Sequence, residues 1–132
     1  MNIESINQND YGSAYCLACC YLAIARYYGY NITMDDLQSG SNPIVSPEGY
    51  VNRWGEHFTR SALKSKSESG VKAAIDDGMP VIIKGRSNSY DHFVVAYDYS
   101  GSTIKVMDPY GGEYGNLGST TLKSWSGYYV CS

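Results

Sequence analysis

Three residues of this chain, Cys16, His92 and Asp108, bear side chains able to act as nucleophile, base and orienting acid. A thiol attacks an amide carbonyl efficiently only as the thiolate. Cys16 stands at the predicted start of a helix, where unpaired N–H groups and the macrodipole favour an anion. The same N–H groups can donate to the oxyanion of a tetrahedral intermediate. Taken alone, Cys16 reads better as one more small apolar residue of a helix that also carries Cys19 and Cys20. His92 changes that balance: the chain has two histidines, and this one opens its most apolar strand, HFVVAY. His57, in WGEHF, reads as a solvated residue on a polar helix.

A hairpin argument ties His92 to an acid. Tyr99-Ser100-Gly101 suits a three-residue loop, a type I turn followed by a left-handed glycine. That register pairs residue 98 with 102 and, counting outward, His92 with Asp108. The two would then face each other with Cβ atoms about 5 Å apart, whereas a two-residue loop would put them on opposite faces. Asp108 would hold one imidazole nitrogen and leave the other for Cys16, the division of labour of a catalytic triad. The plainer readings are a core histidine for His92 and, for Asp108, a turn residue before Pro109 and two glycines. Gln8, upstream of the helix, could add an oxyanion donor, whose loss typically costs on the order of 100-fold in rate; its plainer reading is an exposed loop amide.

Periodicity outlines the helices and strands that carry these groups. Ser13 to Tyr28 reads as a helix, apolar around most of its circumference and hence buried, with Gly29 suited to its left-handed stop. A short helix follows Thr33, with Asp35 and Asp36 at its positive end. Ser46-Pro47-Glu48 starts another, running to about Phe58. A fourth spans Glu68 to Asp77 and stops at Gly78. Beyond Pro80 the chain turns to strands: Val81 to Lys84, His92 to Tyr99, Thr103 to Met107 and Tyr128 to Cys131. Helices first and antiparallel strands second predict an α+β fold. The 132 residues are expected to form one domain, 1–132.

Composition narrows the function classes. Hydrophobic residues make up 43% and charged ones 17%, so the chain has a core to bury. The net charge of -3 and scattered Lys and Arg argue against nucleic acid and anionic membranes. The 14 tyrosines suit a polar groove for an extended substrate and equally well suit strand surfaces. MNIESINQND has no basic or apolar signal region, and no apolar run reaches the ~20 residues of a membrane span. The expectation is synthesis in the cytoplasm, with any export by a route needing no such signal.

Three other readings compete. Cys16-Leu17-Ala18-Cys19 is a C-x-x-C at a helix start, as in thiol–disulfide oxidoreductases, although the residues before it lack the buried strand that motif needs. Zinc held by Cys16, Cys19, Cys20 and Cys131 is awkward, because adjacent cysteines point to different helix faces. A catalytically silent binding module would leave Cys16 dispensable.

Residues 16–29, CLACCYLAIARYYG, resemble the nucleophile helix of the double-glycine (bacteriocin) leader peptidases and their relatives. DHFVVAYDY at 91–99 is similar to that family's histidine strand, and MDPYGG at 107–112 to its aspartate turn. The resemblance covers nearly the whole chain, and the order Gln, Cys, His, Asp is that of the papain superfamily. It implies a papain-like fold, in which a buried nucleophile helix packs on a small antiparallel sheet. It further implies a Cys16–His92–Asp108 triad, Gln8 in the oxyanion hole, and peptide-bond hydrolysis with no metal or cofactor. Similar stand-alone domains among bacterial cell-wall hydrolases and injected toxins imply peptidoglycan stem peptides as a substrate and a cognate inhibitor or immunity protein as a partner.

Overall fold

Every residue from Leu17 to Ala25 is buried, so the first long helix has no solvent face over most of its length. A computed structural model describes residues 1–40, 42–43, 63–88 and 90–131. Helix α1 spans Cys16–Tyr27, preceded by two short 3-10 turns, Gln8–Asp10 and Ser13–Tyr15. Gly29, with φ of 77°, ends it. The N–H of Gly29 donates to the carbonyl of Arg26 and that of Tyr30 to Ala25, the two bonds of a Schellman stop. Helix α2, Glu68–Asp76, starts at Ser67, whose hydroxyl oxygen accepts from the Gly70 N–H, and ends the same way at Gly78. Met34–Leu37 after Thr33 is a 3-10 turn rather than an α-helix. The helix expected from Pro47 to about Phe58, with His57, lies outside the described residues.

Strands β1 (Gln38–Ser39) and β2 (Asn42–Pro43) form a small ribbon. The main sheet is antiparallel throughout. Its strands are β3 (Lys64–Ser65), β4 (Val81–Ser87), β5 (Tyr90–Ser100), β6 (Thr103–Asp108), β7 (Glu113–Asn116) and β8 (Ser124–Val130), in the spatial order β3-β8-β4-β5-β6-β7. Alternation along the strands sorts their side chains onto two cores. Ile82, Phe93, Val95, Met107 and Tyr129 pack with α1, Ile3, Ile6 and Leu37. Val81, Ile83, Val94, Ala96, Ile104 and Val106 pack with Val71 and Ala74 of α2. The α+β expectation thus becomes a mixed arrangement of helices and antiparallel sheet. Strands β3 and β7, which carry little apolar signal, escape the periodicity reading.

The hairpin between β5 and β6 departs from expectation. Ser100 pairs with Thr103 and Asp98 with Lys105, so the loop is the two residues Gly101-Ser102, with Gly101 at φ of 61°, the positive value such turns require. The predicted pairing of 98 with 102 and of His92 with Asp108 does not form. A bulge intervenes at Tyr97: the register resumes with Ala96 opposite Val106 and Val95 opposite Met107. Each one-residue change exchanges the two faces of a strand. The shorter loop and the bulge therefore cancel, and His92 and Asp108 share a face. Continuing the register puts Asp108 opposite Val94, so His92 is its diagonal neighbour.

Candidate active site

His92 Nε2 lies 2.7 Å from Asp108 Oδ1, and both side chains are buried. On the neighbouring strand beside this pair, a glycine lets the backbone of β8 approach closely. Gly85 of β4 pairs with His92 on one side and Trp125 on the other, and a Cβ there would lie 2.0 Å from the Ser124 carbonyl oxygen.

Asp108 is held by four hydrogen bonds. Oδ1 also accepts from the Tyr110 N–H at 2.9 Å, while Oδ2 accepts from the Thr121 N–H at 3.1 Å and the Thr121 hydroxyl at 2.7 Å. Burial pushes its pKa up, but the bonds from His92, Thr121 and Tyr110 outweigh it and hold the carboxyl below its ordinary value. For His92 burial acts downward. The hydrogen bond to Asp108 and the nearness of Cys16 overcome it, and the imidazole is pushed up from 6.5 to about 9. Its Nδ1 is buried with no hydrogen-bond partner. The edge of the Tyr90 ring, 6.1 Å away between centroids, packs against it.

Cys16 is the first residue of α1 and is partly exposed. It lines a cleft of about 980 Å³ together with Gln8, Lys84, Phe93, Tyr110 and Tyr129, a size that fits an extended ligand. Gln8, expected in an exposed loop on its plainer reading, is 3% exposed. The residues separating it from Cys16 are taken up by two 3-10 turns joined at Gly12 (φ 153°). Its Nε2 donates to the Ser13 carbonyl at 3.3 Å, and Oε1 is buried without a partner. The N–H of Gln8 donates to the Pro109 carbonyl at 2.8 Å, which fastens this segment to the turn after Asp108.

The other cysteines are buried free thiols. Burial first, then Cys16, pushes Cys19 up to about 12, and burial holds Cys20 and Cys131 high as well. The turns before Cys16 are not the strand that an oxidoreductase motif requires. Among the described residues no group of three or more His, Cys, Asp or Glu could hold a metal ion.

A family model, the Peptidase C39 family, matches residues 3–132. The chain belongs to the peptidase C39 family. It is accordingly a cysteine peptidase, in keeping with the resemblance to double-glycine leader peptidases carried by its motifs. The lacticin-481/lactococcin-DR transport/processing ATP-binding protein lcnDR3 of Lactococcus lactis subsp. lactis is 26% identical to it over 122 residues, 87% of this chain. The chain spans 17% of that relative's length.

Within this C39 chain, sequence reasoning overlooked two contributors to the site. Thr121 holds Asp108 from a loop whose sequence, Ser-Thr-Thr-Leu, carries no distinguishing pattern. Lys84 was legible only as the polar end of an apolar strand.

Proposed function

We propose that this peptidase cuts peptide bonds with Cys16 as nucleophile, His92 as acid and base, Asp108 as orienting carboxylate and Gln8 as oxyanion donor, on a papain-like scaffold forming one catalytic unit. The observation that carries this reading is the 2.7 Å contact between His92 Nε2 and Asp108. It occupies one ring nitrogen and leaves Nδ1, buried and unpartnered, to exchange a proton with the thiol.

With His92 as imidazolium, the Cys16 thiolate attacks the scissile carbonyl carbon. Charge builds on the carbonyl oxygen, where the N–H groups opening α1 and the Gln8 amide are suited to receive it. Nδ1 of His92 then gives its proton to the leaving amine as the C–N bond breaks, leaving a thioester. The neutral imidazole takes a proton from water, whose oxygen attacks the thioester; the acid departs and the thiolate–imidazolium pair returns.

The substrate class we favour is the peptidoglycan stem peptide, by resemblance to stand-alone cell-wall hydrolases. A second reading, processing of a leader peptide, draws on the similarity to the transport/processing protein. Purified peptidoglycan, a denatured protein and a double-glycine precursor peptide, each digested by wild type and Cys16→Ala, separate the two by mass analysis. Cut stem peptides released only by wild type are expected. A single cut after the paired glycines, with peptidoglycan intact, would favour leader processing, and cleavage surviving in Cys16→Ala would remove the mechanism.

A further inference from the structure

Two charged side chains line the cleft among the described residues, Lys84 and Asp91. Asp91 is already paired, 2.9 Å from Arg86. Lys84 forms no ion pair among the described residues. Its place in β4 is unusual. Ile82, two residues back and so on the same side of the strand, belongs to the core beneath α1, as do the neighbouring cleft residues Phe93 and Tyr129. Phe93 is also the direct cross-strand partner of Lys84. The alternation therefore calls for another apolar residue at this position, and a half-buried cation stands there instead. Its alkyl stem can cover the aromatic wall while the ammonium reaches the cleft.

A peptide laid along this wall would strip water from the ammonium. An unpaired charge is costly in such a place, and a charge met by its opposite is stabilised more strongly than in bulk solvent. The long-range field does not supply this preference, because the chain is net negative at -3 and repels anions at a distance.

From this we infer that Lys84 selects substrates that carry a carboxylate near the scissile bond. The inference rests on the reading of Cys16 as nucleophile and names the substrate class of that site. The carboxylate can belong to an acidic side chain or to the free C-terminus of a short peptide. Stem peptides, which carry such groups, fit this class.

The test is digestion of two randomised peptide libraries, one with amidated and one with free C-termini. Wild type, Lys84→Gln, Lys84→Met and Lys84→Glu are compared by sequencing the products in a mass spectrometer. Lys84→Met keeps the packing of the stem, so a loss of preference there reports on charge. Wild type is expected to enrich Asp and Glu at one position beside the cut, or to prefer the free-acid library if the terminal carboxylate is the partner. That preference should fall about tenfold in Lys84→Gln and Lys84→Met, the effect of one well-placed charge pair. In Lys84→Glu it should turn toward Lys and Arg. Cys16-dependent cleavage without any carboxylate preference, or with one that the substitutions leave intact, overturns this inference alone. Absence of Cys16-dependent cleavage from both libraries overturns this inference, and its absence from purified peptidoglycan and the double-glycine peptide as well overturns the reading of the site.

Discussion

Thr121 and Asp108 are joined twice, through the backbone N–H at 3.1 Å and the hydroxyl at 2.7 Å, both to Oδ2. The oxygen that faces His92 is the other one. Thr121 therefore sets the rotation of the carboxylate about its own axis, and with it the direction in which the imidazole is held. In the proposed triad it touches no reacting atom and would act as a positioning residue.

Removing only the hydroxyl tests that role. Thr121→Val keeps the shape and leaves the backbone bond. We expect kcat to fall roughly 5- to 30-fold, as for a lost hydrogen bond of about 1–2 kcal/mol to a charged group, with little change in KM. Thr121→Ser should restore activity. A purely structural role would lower the melting temperature of Thr121→Val without this split between kcat and KM.

In the mechanism proposed above, the imidazole pushed up to about 9 would give the pH profile its basic side. kcat/KM should decline as pH rises through about 9, because the imidazolium that protonates the leaving amine is lost. In Asp108→Asn the negative charge is gone and the decline should move toward 6.5. Profiles of the two proteins on one peptide decide the point; coincident basic limbs would show that Asp108 does not govern the titration.

The same group links pH to stability. His92 has a higher pKa folded than unfolded, so its contribution is fully present below about 6.5, the ordinary histidine value, and is lost as pH rises through about 9. The lowered carboxyl of Asp108 contributes above its ordinary value of 3.8 and loses that contribution as pH falls below it. Urea titrations at pH 6, 8 and 10 should show wild type losing stability across this series by more than His92→Ala does. The buried cysteines push in the same direction in both proteins, so the difference between them isolates the histidine.

Gln8→Ala should lower kcat about 100-fold with a smaller effect on KM, if its amide donates to the developing oxyanion. Gln8→Glu, which keeps the size and loses the donor, should be no better. Steady-state kinetics on one peptide measures both, and a change confined to KM would assign Gln8 to ground-state binding.

Gly85→Ala should disturb the site from the strand beside His92. The new methyl would press on backbone atoms, the Ser124 carbonyl and the Trp125 Cα, which cannot rotate away. Overpacking of this kind costs about 1–3 kcal/mol. Thermal unfolding should report that loss, and activity should fall with it because His92 is the residue paired to Gly85.

Features that depend on near neighbours and periodicity follow from residue order alone. Helix α1 is buried because its apolar residues run around most of its circumference. Gly29 and Gly78 end their helices because a left-handed residue is needed there, and Cys16 sits at a helix start because the polar segment before it stops where the apolar pattern begins. Long-range packing settled the rest. A predicted three-residue loop became a two-residue turn, and only the bulge at Tyr97 returned His92 and Asp108 to one face. A bulge leaves no mark in a run such as HFVVAYDY, whose residues, Asp98 aside, are apolar or aromatic on either register. Gln8 became buried because two tight turns and a bond to Pro109 fold it inward, and Thr121 reached Asp108 across 13 positions of chain. Such contacts arise from the packing of distant segments, and a one-dimensional pattern carries no trace of which oxygen a hydroxyl will meet.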